Sequence, residues 1–357
     1  MHHFFLLAAL KQAWQGRGYC SPNPSVGAVA VKNNQIIAQA WHPGAGSQHA
    51  EPLVLAQIPP DTGGITLYVT LEPCNHWGRT PPCTNTIIAH GVEKVVYAYK
   101  DPNPMVQAQN TTEILSAHGI DVQHVQVPEI DSFYQSYHYW SNTRRPWVTV
   151  KLAQSLDGKI AEENNLRCTL SNLECSHFTH EQRSHTDIIM TTARTIQQDD
   201  PWLNVRMNGV ISDKPLAVLD RNLELEQNWR ALQRSAAVLH YYDQKNIAPR
   251  AADDQHQFYG LASKNNQLDL NEIIEHLGRL GYHDVWVEAG AQLFRALHLQ
   301  GLVNRTYLYL VPRCLGVNGV QAYDSEDFFQ QPHTTQWLPM ADNMILQLDW
   351  EKACSQV

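Results

Sequence analysis

The chain has 357 residues, 43% of them hydrophobic, and a net charge of -9 from 26 Lys and Arg against 35 Asp and Glu. That length exceeds one ordinary core and points to two domains, while the acidic balance argues against a nucleic-acid partner, which needs a concentrated basic surface. The 7 cysteines, odd in number and without a framework of spacings, point to reduced thiols in a cytoplasm, and no run reaches the roughly 20 apolar residues that span a bilayer.

Residues 4–16 place Phe4, Leu7, Ala8 and Leu10 at helical spacing and stop at Gly16 and Gly18, which predicts an amphipathic first helix. The stretch lacks the basic n-region and cleavage site of a signal peptide. After a loop at 22–25, residues 26–31 and 35–41 flank Asn33-Asn34 and read as a hairpin. His49-Ala50-Glu51 opens a helix reaching residue 57, in which Pro52 is tolerated because a first-turn N–H has no intrahelical partner. Strand 65–70 then delivers Cys74 to the mouth of a helix that residues 83–89 continue. Strand 92–99, helix 111–118 closed by Gly119, strand 120–127 and helix 129–140 complete an alternation that predicts a three-layer α/β/α domain. Asp101 and Asn103 read as turn caps. The polar stretch 141–146, ending at Pro146, places the boundary between domains 1–144 and 145–357.

In the second domain the predicted strands are 147–154, 188–192, 216–219, 236–240, 285–288 and 306–311, with an Asp157-Gly158 turn and helices at 270–280 and 291–299. This is a second α/β domain. Apart from the predicted strand at 236–240, residues 227–266 are less regular, and His177, His180 and His185 read as surface polar residues.

His49, Cys74 and Cys83 supply one imidazole and two potential thiolates, the three-ligand set that leaves a catalytic zinc one open position, and Glu51 adds a carboxylate that need not bind metal. His-x-Glu followed by Pro-Cys and a second cysteine is the signature of zinc deaminases, in which a metal-activated water attacks an amidine-like ring carbon and the glutamate shuttles protons. Taken singly, a His-x-Glu is most often a helix start, and a cysteine pair is two small buried hydrophobes. Their order, with Pro73 directly before Cys74, favours the metal. His76 is a fourth potential ligand, assigned instead to substrate contact.

The stretch CNHWGRTPPC at 74–83, with PNPSVG at 22–27 and DPNP at 101–104, closely resembles the deaminase half of the bacterial bifunctional riboflavin-biosynthesis deaminase/reductase family, the RibD type. KLAQSLDGKIA at 151–161, TIQQDDPWLNVR at 195–206 and Val287-Glu288-Ala289-Gly290 resemble its reductase half. The resemblance implies an N-terminal cytidine-deaminase-like domain and a C-terminal dihydrofolate-reductase-like α/β domain. It implies zinc-dependent deamination of 2,5-diamino-6-(5-phosphoribosylamino)pyrimidin-4-one, then NADPH-dependent reduction of the ribosyl side chain to ribityl. On this reading Glu51 is catalytic, His49, Cys74 and Cys83 hold zinc, and Asn23, His76, Arg79 and Thr80 contact the deaminase substrate. Gln154, Thr169, Thr195, Asp199, Gly290 and Ala291 form the NADPH site, and Lys151, Arg183, Leu203, Arg206 and Glu288 contact the reductase substrate. Arg183 and Arg206 are assigned to its phosphate. The partners implied are a small phosphorylated pyrimidine and further copies of the chain, with no nucleic acid and no membrane.

Three positions depart from the family pattern. Thr169 replaces a common aromatic, Arg221 stands where a small hydroxyl residue is common, and Gly290-Ala291-Gln292 lacks the usual glycine-proline character. Arg221 suits an NADPH 2′-phosphate or else blocks the pocket. These departures leave open a deaminase joined to a catalytically silent reductase-like domain. A nucleic-acid base deaminase is a third reading, disfavoured by the acidic balance.

Overall fold

Asn33 and Asn34 adopt left-handed conformations, φ 51° and 61°, the pair that a tight two-residue hairpin requires. They join β1 (Gly27–Lys32) to β2 (Gln35–Trp41), as the sequence predicts. The computed structural model describes residues 1–60, 62–78, 80–108, 110–163, 169–245, 251–288, 290–323 and 327–351. The chain folds as two units, Met1–Arg145 and Pro146–Val357. Among the described residues no helix is long and apolar enough to cross a membrane.

In the first unit β1 also pairs antiparallel with β3 (Thr66–Leu71), and β4 (Lys94–Tyr99) and β5 (Asp121–His124) continue in parallel, giving the order β2-β1-β3-β4-β5. Its helices are α1 (His2–Gly16), α2 (Ala50–Leu55), α3 (Cys83–Ala89), α4 (Pro104–Gln107), α5 (Thr111–Ser116) and α6 (Pro128–Thr143). α1 packs with α6 on the sheet, and α2, α3 and α5 touch in succession, the three-layer arrangement. The approach of α1 to β1 is so close that a Cβ on Gly27 would lie 2.0 Å from the Ala9 carbonyl oxygen.

Two local expectations fail here. Cys74 is not at the mouth of a helix: α3 begins only at Cys83, because Pro73, Pro81 and Pro82 cannot donate the N–H groups that helical turns across 73–82 would need. The strand predicted over 120–127 is limited to Asp121–His124, and Pro128 starts α6.

Among the described residues of the second unit nine strands form one sheet in the order β13-β12-β11-β8-β14-β6-β15-β18-β17. In chain order the elements are β6 (Trp147–Ser155), β7 (Lys159–Ala161), α7 (Leu173–His185), β8 (Ile188–Thr192), α8 (Ala193–Asp199), β9 (Val205–Met207), β10 (Val210–Ser212) and β11 (Leu216–Leu219). They continue as α9 (Arg230–Arg234), β12 (Val238–Asp243), β13 (His256–Leu261), α10 (Leu270–Arg279), β14 (Asp284–Glu288), α11 (Ala291–Leu299), β15 (Arg305–Val311), β16 (Val320–Gln321), β17 (His333–Met340) and β18 (Asn343–Trp350). From β13 to β15 all pairings are parallel; β18 and β17 add an antiparallel edge. Alternate residues of each strand enter opposite cores: Ile188, Met190, Val285 and Val287 pack with α10 and α11, while Ile189 and Trp286 pack with residues of α7, α8 and α9.

Residues 227–266 hold α9, β12 and β13. Helix α7 gave no apolar signal because the residues it buries, Cys175, Thr179, His180 and Arg183, are mostly polar. His180 is therefore not a surface residue: it is 7% exposed, and its Nδ1 accepts the Arg206 N–H at 3.2 Å.

Candidate active site

His49 caps α2 and Cys83 is the first residue of α3, so two helix starts bring them together. The Cys83 N–H donates to Cys74 Sγ at 3.3 Å, which draws the irregular 72–75 segment into the same cluster. His49 Nδ1 lies 3.2 Å from Cys83 Sγ and 3.5 Å from Cys74 Sγ, and the three ligand atoms lie within 4.8 Å of one another. Tetrahedral zinc with ordinary Zn–N and Zn–S bonds places nitrogen and sulfur roughly 3.6 Å apart, so this donor set fits the ion in chemistry and in span. Hydrogen bonding from Cys83 is the largest influence holding the Cys74 thiol well below its ordinary range, and the same contact pushes Cys83 up.

Glu51, in the first turn of α2, is 3% exposed. Burial and the neighbouring Cys74 sulfur raise its carboxyl to about 7, in the range where a group gives and takes protons readily at neutral pH. It lines a cavity of about 110 Å³ with Asn23, His42, His49, Glu72, Cys74, His76, Asp101, Asn103 and Tyr137. His76 Nδ1 is buried with no hydrogen-bond partner among the described residues. Asp101 Oδ1 accepts the Asn103 N–H at 2.9 Å and the Tyr137 hydroxyl at 3.0 Å, and burial raises its carboxyl to about 6 despite them.

Of the substrate contacts proposed from sequence, Asn23 and His76 line this cavity, Thr80 does not, and Arg79 lies outside the described residues, as do Cys168, Ala289 and Cys354. Glu72 and Tyr137 were missed, and His42, which alone reads equally well as a plain loop residue, and Asp101 and Asn103, read only as caps, face the cavity as well. The DPNP motif was the available signal for the last two. Nothing local marks Tyr137, which reaches the site from α6.

A second cavity, about 330 Å³, opens between the middle of β6, the carboxyl end of β14 and helix α8, near where ligands of parallel α/β sheets commonly bind. Lys151, Thr169, Thr195, Asp199, Glu288 and Gly290 line it, joined by Ile160, Ala161, Ser171 and Gln198. Thr192 caps α8 by accepting the Thr195 N–H at 3.2 Å. A Cβ built on Gly290, the cap of α11, would meet nothing within 4 Å, so backbone lies open to the cavity there; a dinucleotide's pyrophosphate fits such a place.

Gln154, Ala291, Arg183, Leu203 and Arg206 do not line this cavity. Gln154 is buried and donates to the Tyr323 hydroxyl at 3.4 Å, and Ala291 borders a separate groove along α11. Arg183 is held in place by packing partners: it donates to both oxygens of Glu288, at 2.6 and 2.9 Å, and to the Asn204 carbonyl at 2.9 Å. Burial alone would raise Glu288, but the Arg183 charge and its hydrogen bonds bring it down to about 2. Arg206 donates to Asn204 Oδ1 at 2.7 Å and stays exposed. Arg221 neither lines the cavity nor blocks it; it donates to Asn222 Oδ1 and the Asn266 carbonyl.

Residues 1–99 match the cytidine and deoxycytidylate deaminase zinc-binding region, and residues 146–346 match the RibD C-terminal domain. RibD of Aquifex aeolicus is 31% identical over 87% of this chain and 87% of its own length. The chain belongs to the RibD family. RibD of Escherichia coli is 32% identical over 88% of each chain. The solved RibD structure of Acinetobacter baumannii superimposes with a TM-score of 0.85 at 28% identity, covering 98% of this chain and 99% of that one. A Thermotoga maritima structure described as a diaminohydroxyphosphoribosylaminopyrimidine deaminase/5-amino-6-(5-phosphoribosylamino)uracil reductase gives the same TM-score of 0.85 at 26% identity. Family members thus share both α/β domains with this chain, the zinc-binding deaminase region first and the reductase after it.

Proposed function

We propose that this protein catalyses two successive steps of riboflavin synthesis: zinc-dependent deamination of 2,5-diamino-6-(5-phosphoribosylamino)pyrimidin-4-one, then NADPH-dependent reduction of the ribosyl side chain to ribityl. The observation that carries the reading is the convergence of His49, Cys74 and Cys83 beside the buried carboxyl of Glu51, in a chain whose relatives are RibD proteins over most of their length.

His49, Cys74 and Cys83 would hold the zinc ion, which when bound would make a water acidic enough to act as a nucleophile near neutral pH. Glu51 would take a proton from that water and pass it to the ring nitrogen, then take the proton of the hydroxyl added to the ring carbon and give it to the departing amine. Burial raises the carboxyl from its ordinary range towards neutral pH, which favours proton exchange there. Asn23 and His76 are placed to hold the pyrimidine edge.

In the second cavity Thr169, Thr195, Asp199 and Gly290 would hold NADPH, which carries the hydride. Lys151 and Glu288, paired across β6 and β14, face the same space and would orient the opened sugar. The substrate's phosphate falls to the exposed Arg206 rather than to Arg183. Scattered reduced cysteines support action in a cytoplasm, and the family resemblance supports a homo-oligomer.

The test is a paired assay of zinc-loaded protein with the diaminopyrimidine. Ammonia release without NADPH, followed by NADPH oxidation only once deaminated product is present, is the expected pattern; release of no ammonia would overturn the reading.

A further inference from the structure

Asn23, His42 and Gln48 form a chain of hydrogen bonds at the edge of the deaminase cavity. His42 Nδ1 lies 3.0 Å from the Gln48 backbone oxygen, and His42 Nε2 lies 3.1 Å from Asn23 Nδ2. A carbonyl oxygen only accepts, so Nδ1 carries the proton. The ring is 2% exposed, and Asn23 turns its amide nitrogen, a group that only donates, towards Nε2, the ring nitrogen that accepts when Nδ1 carries the proton. Asn23 must therefore donate through its amide nitrogen. Its Oδ1 is the amide atom left to whatever enters the cavity that Asn23 lines.

The backbone on both sides of this contact is tied down. The His42 N–H donates to the Val26 carbonyl at 2.9 Å, and the Asn23 N–H donates to the Cys20 carbonyl at 2.9 Å. Cys20 Sγ in turn sits 3.1 Å from the His42 carbonyl oxygen. A Cβ on Gly16 would come within 2.6 Å of that same oxygen, so the end of α1 is pressed against it. The amide and the imidazole therefore meet in a fixed geometry.

We propose that His42 is a positioning residue which fixes the polarity of the Asn23 amide, so that the deaminase cavity presents a carbonyl acceptor and selects pyrimidines that turn a ring N–H towards it. This rests on the deaminase reading above. His42 touches no reacting atom in this role; it acts through Asn23.

The test uses full-length, zinc-loaded protein with the variants His42→Phe, Asn23→Ala, the double variant and His42→Gln. Zinc content and reductase turnover are measured alongside. His42→Phe and Asn23→Ala are each expected to raise the deaminase KM about tenfold with kcat nearly unchanged, the loss of one hydrogen bond. The double variant should be no worse than Asn23→Ala alone, because the two residues act as a unit. In His42→Gln one amide can donate to Gln48 and accept from Asn23, so KM should return to within about threefold of the parent. The second readout is competitive inhibition by a pyrimidinone and by its ring N-methyl derivative. Methylation should cost the parent about tenfold in affinity and the His42→Phe and Asn23→Ala variants under about threefold.

An additive double variant, or discrimination that survives His42→Phe, would overturn the proposal. Should His42→Phe lose zinc, the proposal stands or falls on His42→Gln and Asn23→Ala. If the parent protein deaminates no pyrimidine, the deaminase reading itself fails, an outcome distinct from altered selectivity in an active enzyme.

Discussion

Arg183 and Glu288, 105 residues apart in sequence, close a bidentate ion pair in which Arg183 Nε lies 2.6 Å from one carboxylate oxygen and its terminal nitrogen lies 2.9 Å from the other. Both side chains are nearly buried, at 10% and 15% exposure, and Trp286 Nε1 donates to the same carboxylate at 2.7 Å. Removing one partner leaves the other charged and desolvated. Arg183→Met should therefore destabilise the reductase unit by about 3–5 kcal/mol, and Arg183→Met combined with Glu288→Gln by clearly less. Urea unfolding of the three proteins checks this; equal losses would mean that the pair is not the source.

Replacing Glu51 with Gln keeps the shape of the side chain and removes its proton transfer. Zinc content should stay at one ion per chain, deaminase kcat should fall roughly a hundred- to ten-thousandfold, and reduction of pre-deaminated substrate should be unchanged. Metal analysis and the two separate assays measure these.

Chelation should separate the activities in the same direction. Stripping zinc abolishes ammonia release while leaving NADPH oxidation with deaminated substrate intact, and added Zn²⁺ restores the first. Cys74→Ala should behave like the stripped protein and resist restoration.

His298 supplies a pH dependence of stability. Its Nδ1 meets the Phe294 carbonyl at 2.7 Å and its Nε2 meets the Thr306 hydroxyl at 2.6 Å, and burial lowers it to about 4 from 6.5. Between those values the unfolded chain binds a proton that the folded chain refuses. Stability from this residue is therefore complete above 6.5 and is lost as pH falls towards 4, by up to about 3 kcal/mol. Urea midpoints from about pH 7 to about pH 4.5 should fall less steeply in His298→Gln than in the parent.

What could be read from the sequence follows from how locally each feature is encoded. The zinc ligands lie within 35 positions of one another, each at a helix start or beside a proline, so residue type and order expose them. Hairpin β1–β2 was legible because Asn33-Asn34 carries its own turn chemistry. His42 and Tyr137 were not, since only the fold brings β2's end and α6 to one cavity. Helix α7 buries polar residues, so periodicity of apolar ones could not reveal it, and with it went the pairing of Arg183 with Glu288. The sequence placed both at one substrate; their attachment to each other is a fact of packing.

The most direct test of the account is mass spectrometry of the products formed from the diaminopyrimidine ribosylamine phosphate by zinc-loaded protein, with and without NADPH. Two domains working in succession predict a gain of about 1 Da without the cofactor, from amine to oxo, and about 2 Da more with it. A first gain that NADPH never extends would contradict the account by making the C-terminal unit catalytically silent, and no gain at all would contradict both halves.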